Sequence, residues 1–301
     1  MYKKDYKNYW INLNIEFSDN TIRILRLDKL KRILSKDEVN ISFSLSDETV
    51  MRKDKFDLIH EFEDAISEVL KKDPEIENND ANVTAGILIG TEQTFLNVTP
   101  VDFEEDNSSV TSHIIWELSN YFPDTYKDFN VRYYRLNNNR VSENIDDTLL
   151  IAINKKKLEF IKTLCDSSGI KIRNIEIDHI VIEKCLKEKY PDDIIGKTVL
   201  VIGIKKGRVD FSLLSDGEIR YYDYACLGGS NLKYLVVNEI NLLNSLLFNI
   251  ENMFIYGEDS NNELREFLKE QFENTGVFNI NYDNTDDTAF SPLYGLALKN
   301  V

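Results

Sequence analysis

The sequence has little cysteine and no obvious targeting segment. Only three cysteines occur in 301 residues, Cys165, Cys185 and Cys226, and no two of them have the spacing of a metal site. Such an odd and sparse set is typical of a reducing compartment, and it predicts a cytoplasmic location. The first twenty residues contain several charges and no long apolar run, so no signal peptide is predicted.

The chain also lacks long hydrophobic runs and an excess of basic residues. No stretch approaches the roughly 20 apolar residues that a membrane-spanning helix needs, so no direct membrane span is expected. With 36 Lys and Arg against 52 Asp and Glu, the net charge is −16. This charge argues against nucleic acid and bare anionic lipid as partners. The 42% of hydrophobic residues is typical of a globular protein with a sizeable core.

The hydrophobic pattern predicts one arrangement of strands and helices twice. The first copy has an alternating hairpin, a third strand, an amphipathic helix and an apolar strand, at residues 10–17, 21–27, 40–45, 56–71 and 83–90. The second copy has the same order, at residues 198–204, 208–214, 218–224, 231–248 and 253–256. A duplicated β-β-β-α-β-α unit is the plan of the actin, Hsp70 and sugar-kinase ATPases, so an α/β fold with two lobes is expected.

A smaller α+β unit is predicted between the two copies. Ser108 or Ser109 is expected to cap a helix that stops before Pro123. Strands are predicted at 130–136 and 148–153, with a loop over 137–144 between them.

The end of that helix carries a recognisable motif. Residues 115–123 read IWELSNYFP, which is similar to the W-E-x-x-x-Y-x-P helix end of the PilM family of type IV pilus assembly proteins. Further motifs similar to the family's follow in the same order, at 149–153 (LLIAI), 169–178 (GIKIRNIEID), 219–232 (with its paired glycines) and 295–298 (GLAL). The resemblance implies an actin-like, that is a duplicated ribonuclease H-like, two-lobe fold with a subdomain inserted in the first lobe.

The resemblance also implies a division of the chain. The expected units are a first lobe, an inserted subdomain, a return to the first lobe and a second lobe, at residues 1–91, 92–169, 170–190 and 191–301. About 24 residues separate Leu232 from Gly257, enough for one helix where the family builds a fourth subdomain. We therefore expect the fourth subdomain to be reduced or missing.

The first predicted hairpin departs from the phosphate-binding pattern of actin-like ATPases. By resemblance it should read roughly DIGSSSVK, whereas residues 16–23 read EFSDNTIR. The candidate nucleotide positions here are Glu16, Ser18, Asp19 and Asn20. Ser18 replaces the glycine, and Asp19 lies where a hydroxyl should meet phosphate. A carboxylate beside a triphosphate is repulsive unless a metal ion bridges the two.

The second hairpin and the adenosine motif are also altered. The carboxylate expected for magnesium falls on Gly203, and the expected glycine falls on Lys205. The adenosine motif should read TGGG, but only Gly257 survives, followed by two acidic residues. ATP hydrolysis is therefore not expected, and ATP and magnesium binding is disfavoured. None of the three histidines has the spacing of a catalytic or metal motif, so no catalytic residue and no metal site are predicted.

By resemblance, the chain is expected to be a non-catalytic scaffold of a type IV pilus-like or type II secretion-like machine. It would lie peripherally at the cytoplasmic face of the inner membrane and bind the cytoplasmic tail of a single-pass membrane partner. The expected groove lies between residues 83–90 and 109–122, and its candidate contacts are Ile87, Ile89, Trp116, Tyr121 and Phe122.

Other interpretations remain open at the level of the sequence. One is the cytoplasmic domain of the membrane-anchored type II secretion homologue. A second is a nucleotide-binding actin-like ATPase or polymerising cytoskeletal protein, which the altered hairpins oppose. A third is a small-molecule kinase, which lacks a carboxylate at Gly203. The apolar run 242–250 is expected to be a buried helix, although a homodimer face is the alternative.

Overall fold

The computed structural model describes residues 10–47, 50, 56–72, 82–136, 145–228, 231–260, 262–283 and 287–301. In chain order its strands are β1 (Trp10–Ser18), β2 (Thr21–Leu27), β3 (Ile33–Asn40), β4 (Asn82–Ile89), β5 (Phe95–Asp102), β6 (Phe129–Arg135), β7 (Ile145–Asn154), β8 (Ile170–Ile177), β9 (Thr198–Lys205), β10 (Arg208–Ser215), β11 (Glu218–Cys226), β12 (Asn252–Tyr256) and β13 (Gly276–Asn279). Its helices are α1 (Phe56–Lys71), α2 (Asn107–Tyr121), α3 (Lys155–Ser167), α4 (Asp178–Lys189), α5 (Pro191–Ile194), α6 (Leu232–Ser245), α7 (Asn262–Gln271) and α8 (Ser291–Asn300). The predicted loop at 137–144 lies outside the described residues.

Two five-stranded sheets have the same topology. The first has the order β3-β2-β1-β4-β8 and the second β11-β10-β9-β12-β13. In each, three antiparallel strands are followed by two parallel ones, with β4 parallel to β1 and β12 parallel to β9. The predicted duplication is therefore confirmed at the level of topology, although the two halves share little sequence.

Both central hairpins are closed by tight turns that need a left-handed backbone. Asp19 has φ 41° in the β1–β2 turn, and Gly207 has φ 76° in the β9–β10 turn. Aspartate and glycine tolerate this region better than bulkier residues do. Because the two strand pairs are equivalent in their sheets, these turns lie at equivalent places in the two lobes.

The first sheet lies between two pairs of helices. Helices α1 and α3 pack against each other, and Phe62 of α1 stacks on Phe17 of β1 with ring centroids 5.8 Å apart. Helices α4 and α8 form the other pair, and α8 contacts β1, β2 and β4. The core continues from this sheet into Val201 and Phe254 of the second sheet. The last helix thus belongs by its contacts to the first sheet, although the predicted second lobe runs to Val301.

The inserted subdomain is a three-stranded antiparallel sheet covered by α2. Its strand order is β5-β7-β6, which leaves β6 at an edge. Helix α2 is capped by Asp106, whose carboxylate accepts hydrogen bonds from the backbone N–H groups of Ser108 and Ser109. The prediction that one of those serines is the cap was wrong, because the aspartate reaches both N–H groups from one turn earlier.

The predicted third strand at residues 40–45 was also wrong. The strand is β3, a partly exposed edge strand whose sequence ILSKDEVN carries three charges. The hydrophobic pattern did not predict β3, because an edge strand carries polar side chains on its exposed face. The apolar residues Ile41, Phe43 and Leu45 are buried as an irregular segment that packs into the core.

The second lobe lacks a fourth subdomain in its described part. Helix α6 alone lies between β11 and β12 within residues 227–228 and 231–251, and it packs with α7 on the second sheet through Val236, Ile240 and Leu264. Among the described residues, no helix has the length and hydropathy that crossing a bilayer requires.

Close packing of α8 on α4 depends on Gly295. A Cβ at this position would lie 2.3 Å from the backbone oxygen of Val181. An alanine in an unobstructed helix position stabilises by about 1 kcal/mol relative to glycine. We predict the opposite sign for Gly295→Ala, a loss of about 2 kcal/mol in the free energy of unfolding, because the two helices must separate.

Urea unfolding of both variants measures this effect. Gly228→Ala is the matched control, since a Cβ there meets nothing within 4 Å, and its free energy of unfolding is expected to stay within about 0.5 kcal/mol of wild type. An unchanged or raised stability of Gly295→Ala would contradict the packing described.

Candidate functional site

The candidate site is the cleft where the two central hairpins face each other. Lys206, in the β9–β10 turn, places its Nζ 2.9 Å from Oδ2 of Asp19 in the β1–β2 turn. Asn20 follows Asp19, and its backbone oxygen accepts a hydrogen bond from Ile41 at 2.8 Å. The structure therefore brings together the two turns that the resemblance singled out, with a direct ion pair between them.

The carboxylate of Glu258 lies between the hairpins. Its Oε1 accepts a hydrogen bond from Nη1 of Arg23 at 2.7 Å and another from Oγ of Ser18. Glu258 follows β12 in the second lobe, whereas its two donors belong to the first. Burial alone would raise the pKa of Glu258, but Arg23 and Ser18 outweigh it and hold that pKa below its usual value. The group is thus a charged, partly exposed acceptor that joins the lobes.

Arg23 is the cation at the centre of this arrangement. Its Nε donates to Glu38 at 2.8 Å, and its Nη1 lies 3.7 Å from Oε2 of Glu16. Burial opposes the guanidinium charge, yet the carboxylates of Glu16 and Glu258 raise the pKa of Arg23 further. Glu16 is 3% exposed, and its burial raises its pKa although Arg23 and Lys205 act in the other direction.

Lys205 occupies the middle of a group of acidic side chains. Its ammonium forms an ion pair with Asp178 and lies 3.5 Å from Oε2 of Glu92. It also lowers the pKa values of Glu16 and Glu258 through its charge. A lysine that is 7% exposed among several carboxylates neutralises them in the place where a divalent cation would otherwise be attractive.

Gly203 has no room for the carboxylate that magnesium coordination would require. A Cβ at this position would lie 2.6 Å from the hydroxyl oxygen of Tyr256 and 3.0 Å from Nδ1 of His179. Both side chains are fully buried, and the tyrosine hydroxyl lies 2.6 Å from Nδ1 of that histidine. The Tyr256 and His179 side chains therefore fill the space beside β9 where a nucleotide site would place an acid.

A second buried network crosses between the lobes at Asp210. Its Oδ2 accepts a hydrogen bond from Oγ1 of Thr91 at 2.6 Å, and its Oδ1 accepts from Arg208 and Tyr222 at 2.9 and 2.6 Å. Burial would raise the pKa of Asp210, but nearby His179 and Arg208 and these hydrogen bonds lower it. Every partner is an interior side chain, so the network fastens β10 to the segment after β4.

His179 completes the interior of the cleft. Its Nε2 lies 3.0 Å from Oγ of Ser212 and its ring is fully buried. Desolvation by burial lowers its pKa to about 4, with Asp210 acting in the other direction. The imidazole is thus enclosed in the interior between Tyr256 and Ser212.

Gly257, the surviving glycine of the adenosine motif, is required by the backbone. It has φ 116°, and a Cβ there would lie 2.0 Å from the backbone oxygen of Ile204. Its own backbone oxygen accepts a hydrogen bond from Thr288 at 3.0 Å. The glycine therefore allows β12 to turn tightly beside β9, and this turn places Glu258 in the cleft.

Sequence reasoning missed several residues of this site. It identified Glu258 only as an acid in place of a glycine, and it gave no role to Arg23, Asp178 or Asp210. The sequence did contain a signal for the contact between Arg23 and Glu258. The first hairpin keeps a basic residue, Arg23, at the lysine position of the pattern, and the adenosine motif has an acid, Glu258, in place of a glycine. Opposite charges in two motifs that meet at the cleft could have suggested an ion pair. Arg23 and Glu258 are 235 residues apart in the chain, so their contact could not be predicted from local sequence.

The predicted partner-binding residues do not lie on one surface. Ile87 and Ile89 are both 0% exposed, because β4 lies between β1 and β8 in a sheet covered by helices. They belong to the core, and their assignment as contact residues is corrected accordingly. Trp116 and Tyr121 are 58% and 50% exposed on α2, and Phe122 packs on Phe95 with ring centroids 5.0 Å apart.

An open groove does lie beside the first sheet, at β8 rather than β4. It has a volume of about 630 Å³ and runs between α3 and the edge strand β8. Its apolar lining comes from Leu158, Ile170, Ile172 and Ile175. Arg132 of the inserted subdomain donates to the backbone oxygen of Ile175 at 3.2 Å. This first-sheet groove therefore lies next to the junction of the first lobe and the inserted subdomain.

Residues 14–251 match the family described as type IV pilus assembly protein PilM. The match covers most of the chain, including both central hairpins and the inserted subdomain. No curated protein matches the sequence at a significant level.

Several solved structures share the fold. A PilM-PilN type IV pilus biogenesis complex matches with a TM-score of 0.71 at 12% identity, over 98% of each chain. A Bacteroides thetaiotaomicron protein of actin-like ATPase fold and unknown function matches with a TM-score of 0.56 at 14% identity, over 98% of each chain. The cytoplasmic domain of EpsL, an inner-membrane component of the Vibrio cholerae type II secretion system, matches with 0.50 at 9% identity, over 96% of this chain and 94% of that one. The predicted actin-like fold is confirmed.

The buried histidine makes stability depend on pH. Because its folded pKa is about 4 and that of a free imidazole about 6.5, the unfolded chain takes up a proton first as the pH falls. The contribution of His179 is therefore complete above pH 6.5 and lost towards pH 4, by about 3 kcal/mol in all. We expect His179→Gln to flatten the pH dependence of the free energy of unfolding by this amount.

Urea unfolding at several pH values between about 7 and 4.5 measures the slope. Gly228→Ala provides the control, because it changes no titratable group and should retain the wild-type slope. Equal slopes for His179→Gln and wild type would show that the imidazole is not held neutral.

Proposed function

We propose a non-catalytic scaffolding function for this chain, which belongs to the family of the type IV pilus assembly protein PilM. The observation that carries the proposal is the Glu258 carboxylate between the two hairpins. It accepts from Ser18, which replaces the glycine of the phosphate-binding hairpin, and from Arg23 of the same hairpin. The chain thus supplies its own anion at that position.

Charge in the cleft opposes a nucleotide. A phosphate placed between the hairpins would meet the carboxylates of Glu16 and Glu258 at short range, and like charges repel strongly where water is scarce. Lys205 is paired with Asp178, which offsets part of its positive charge. Magnesium has no ligand at Gly203, whose surroundings are filled by Tyr256.

A structural function fits this closed cleft. The lobes of an ATPase of this fold must separate to exchange nucleotide, whereas here ion pairs and hydrogen bonds join them directly. A rigid body of this kind presents fixed surfaces to its partners. We place it at the cytoplasmic face of the inner membrane, as a component of a type IV pilus-like assembly platform. Assignment to the type II secretion homologue has only likeness of fold in its favour.

The partner we propose is the cytoplasmic tail of a single-pass inner-membrane assembly protein, bound in the first-sheet groove. The groove borders the edge strand β8, and an extended tail pairs readily with such an edge. Its apolar lining suits a tail with spaced apolar side chains. The groove also borders the inserted subdomain through Arg132, the junction at which the resemblance locates the tail.

The cleft proposal predicts no response to nucleotide. A ligand present at about 100 times its dissociation constant raises the free energy of unfolding by about 2.7 kcal/mol, a shift on the order of 5 °C in Tm. We expect no shift for wild type at millimolar ATP and magnesium. We expect Glu258→Gln, which removes the competing charge, to respond more than the exposed control Glu263→Gln.

Differential scanning fluorimetry of the three proteins, with and without ATP and magnesium, supplies the comparison. A clear rise in Tm for wild type would revive the ATPase interpretation and refute the closed-cleft proposal.

The groove proposal predicts a specific loss of tail binding. In a titration with a labelled synthetic peptide of the tail from the same organism's pilus membrane protein, Ile172→Thr should weaken binding about tenfold, or 1.4 kcal/mol. The substitution keeps the β-branched shape but places a hydroxyl in the apolar lining.

Fluorescence anisotropy reports the affinity, and Trp116→Ala is the control for the helix α2 surface. A loss of binding in Trp116→Ala with none in Ile172→Thr would move the tail from the first-sheet groove to α2.

A further inference from the structure

The inserted subdomain carries a groove of its own. It lies between α2 and β6 and has a volume of about 890 Å³. Its floor includes the buried Ile114 and Leu118, and its rim includes Ile115, which is 40% exposed. We name it the α2–β6 groove. It shares no lining residue with the first-sheet groove.

One wall of this groove is a sheet edge with which no further strand of the described residues pairs. Strand β6 pairs with β7 on one side and is the last strand in the order β5-β7-β6. Alternate backbone N–H and C=O groups of such an edge point away from the sheet and can pair with an added strand. Seven residues, Phe129–Arg135, form the edge. A groove bounded by a free edge favours an extended segment over a helix or a compact ligand.

The charge of the lining distinguishes this groove from the rest of the molecule. The cationic lining residues are Lys127, Arg132 and Lys155, and none of the described residues that line the groove is acidic. In a chain with net charge −16, three cations without an acid form a local exception. The first-sheet groove, by contrast, mixes Lys162 and Lys171 with acidic residues.

Two of these cations donate hydrogen bonds to neutral backbone oxygens, so their positive charges are not neutralised by those partners. Nζ of Lys155 donates to the backbone oxygen of Lys127 at 2.6 Å, and Nη1 of Arg132 donates to the backbone oxygen of Ile175 at 3.2 Å. Backbone oxygens position the side chains but carry no net charge. A carboxylate arriving in the groove can therefore pair with a cation that is already held in place.

We propose that the α2–β6 groove binds an extended acidic segment of a second protein partner, in which every second side chain, apolar or acidic, faces the groove. The segment adds a strand to β6, its apolar side chains enter the groove over Ile114 and Leu118, and its carboxylates meet Lys127 and Lys155. This surface is distinct from the tail site, so the scaffold would hold two partners at once.

A pair of designed peptides tests the proposal with the full chain. The probe is a fluorescein-labelled peptide of about eight residues with two leucines and two glutamates at alternate positions and serine between them, and its counterpart carries lysine at both glutamate positions. Anisotropy titrations use wild type, Lys127→Glu with Lys155→Glu, and the charge-matched control Lys29→Glu with Lys269→Glu. Arg132 stays unchanged because it also contacts the first sheet. Thermal unfolding verifies that each variant is folded.

The expected result is binding of the acidic peptide to wild type and to the control, with at least a tenfold loss in the groove variant. Only every second backbone N–H of an added strand points towards β6. N-methylation of that set of amides should abolish binding, because a methylated amide cannot donate a hydrogen bond, whereas methylation of the other set should not. Binding of the lysine peptide instead, equal binding to the groove variant, or no binding of either peptide would overturn the proposal. Concentration-dependent self-association abolished by the groove variant would also overturn it, by assigning the groove to a second copy of this chain.

Failure of this test and failure of the scaffold proposal are distinguishable. The peptides report on the α2–β6 groove alone, whereas the response to ATP and the titration with the membrane protein's tail report on the cleft and the first-sheet groove.

Discussion

The ion pair between Arg23 and Glu258 connects the two lobes of this protein in the cleft between the two central hairpins. Each residue comes from a different lobe, and the carboxylate also accepts from Ser18. The Arg23 side chain is 8% exposed and that of Glu258 29%, so the guanidinium is the more strongly desolvated partner and the carboxylate offsets that cost. Lys206 with Asp19 and Thr91 with Asp210 repeat the connection on either side. The geometry of the whole cleft follows from these cross-lobe contacts.

The same contacts account for the altered motifs. In an actin-like ATPase the hairpin turns are kept small and neutral so that phosphate can approach their N–H groups. Here Lys205 neutralises Asp178, and Tyr256 fills the space beside Gly203. On the proposed function, these side chains take the place of a nucleotide and its metal ion in the cleft.

Two open sheet edges lie away from the closed cleft. Strand β8 ends the first sheet and β6 ends the inserted one, and an apolar groove runs beside each. Edges of this kind attract added strands unless they are covered. The molecule therefore combines a cleft crossed by hydrogen bonds and ion pairs with two grooves at sheet edges. Their linings differ in charge, so the two grooves need not compete for one partner.

Most of the fold could be predicted from periodicity alone. The apolar runs of β4, β9 and β12 and the amphipathic α1 determined the duplicated topology, because buried strands and half-buried helices leave clear patterns. Strand β3 was missed because its edge position requires charges, and buried Ile41 and Phe43 imitated a strand next to it. A local sequence pattern does not show whether a strand lies at the edge or in the middle of a sheet.

The candidate site divides in the same way. The sequence by itself determined that the three phosphate and adenosine motifs are altered and that the fourth subdomain is missing, since both are properties of short segments and of length. Only the tertiary structure decided that Glu258 meets Arg23, that Tyr256 fills the place beside Gly203, and that Ile87 and Ile89 are core residues. These contacts join segments that are far apart in the chain. They could not be predicted from sequence because tertiary packing, not proximity in the chain, determines which side chains lie together.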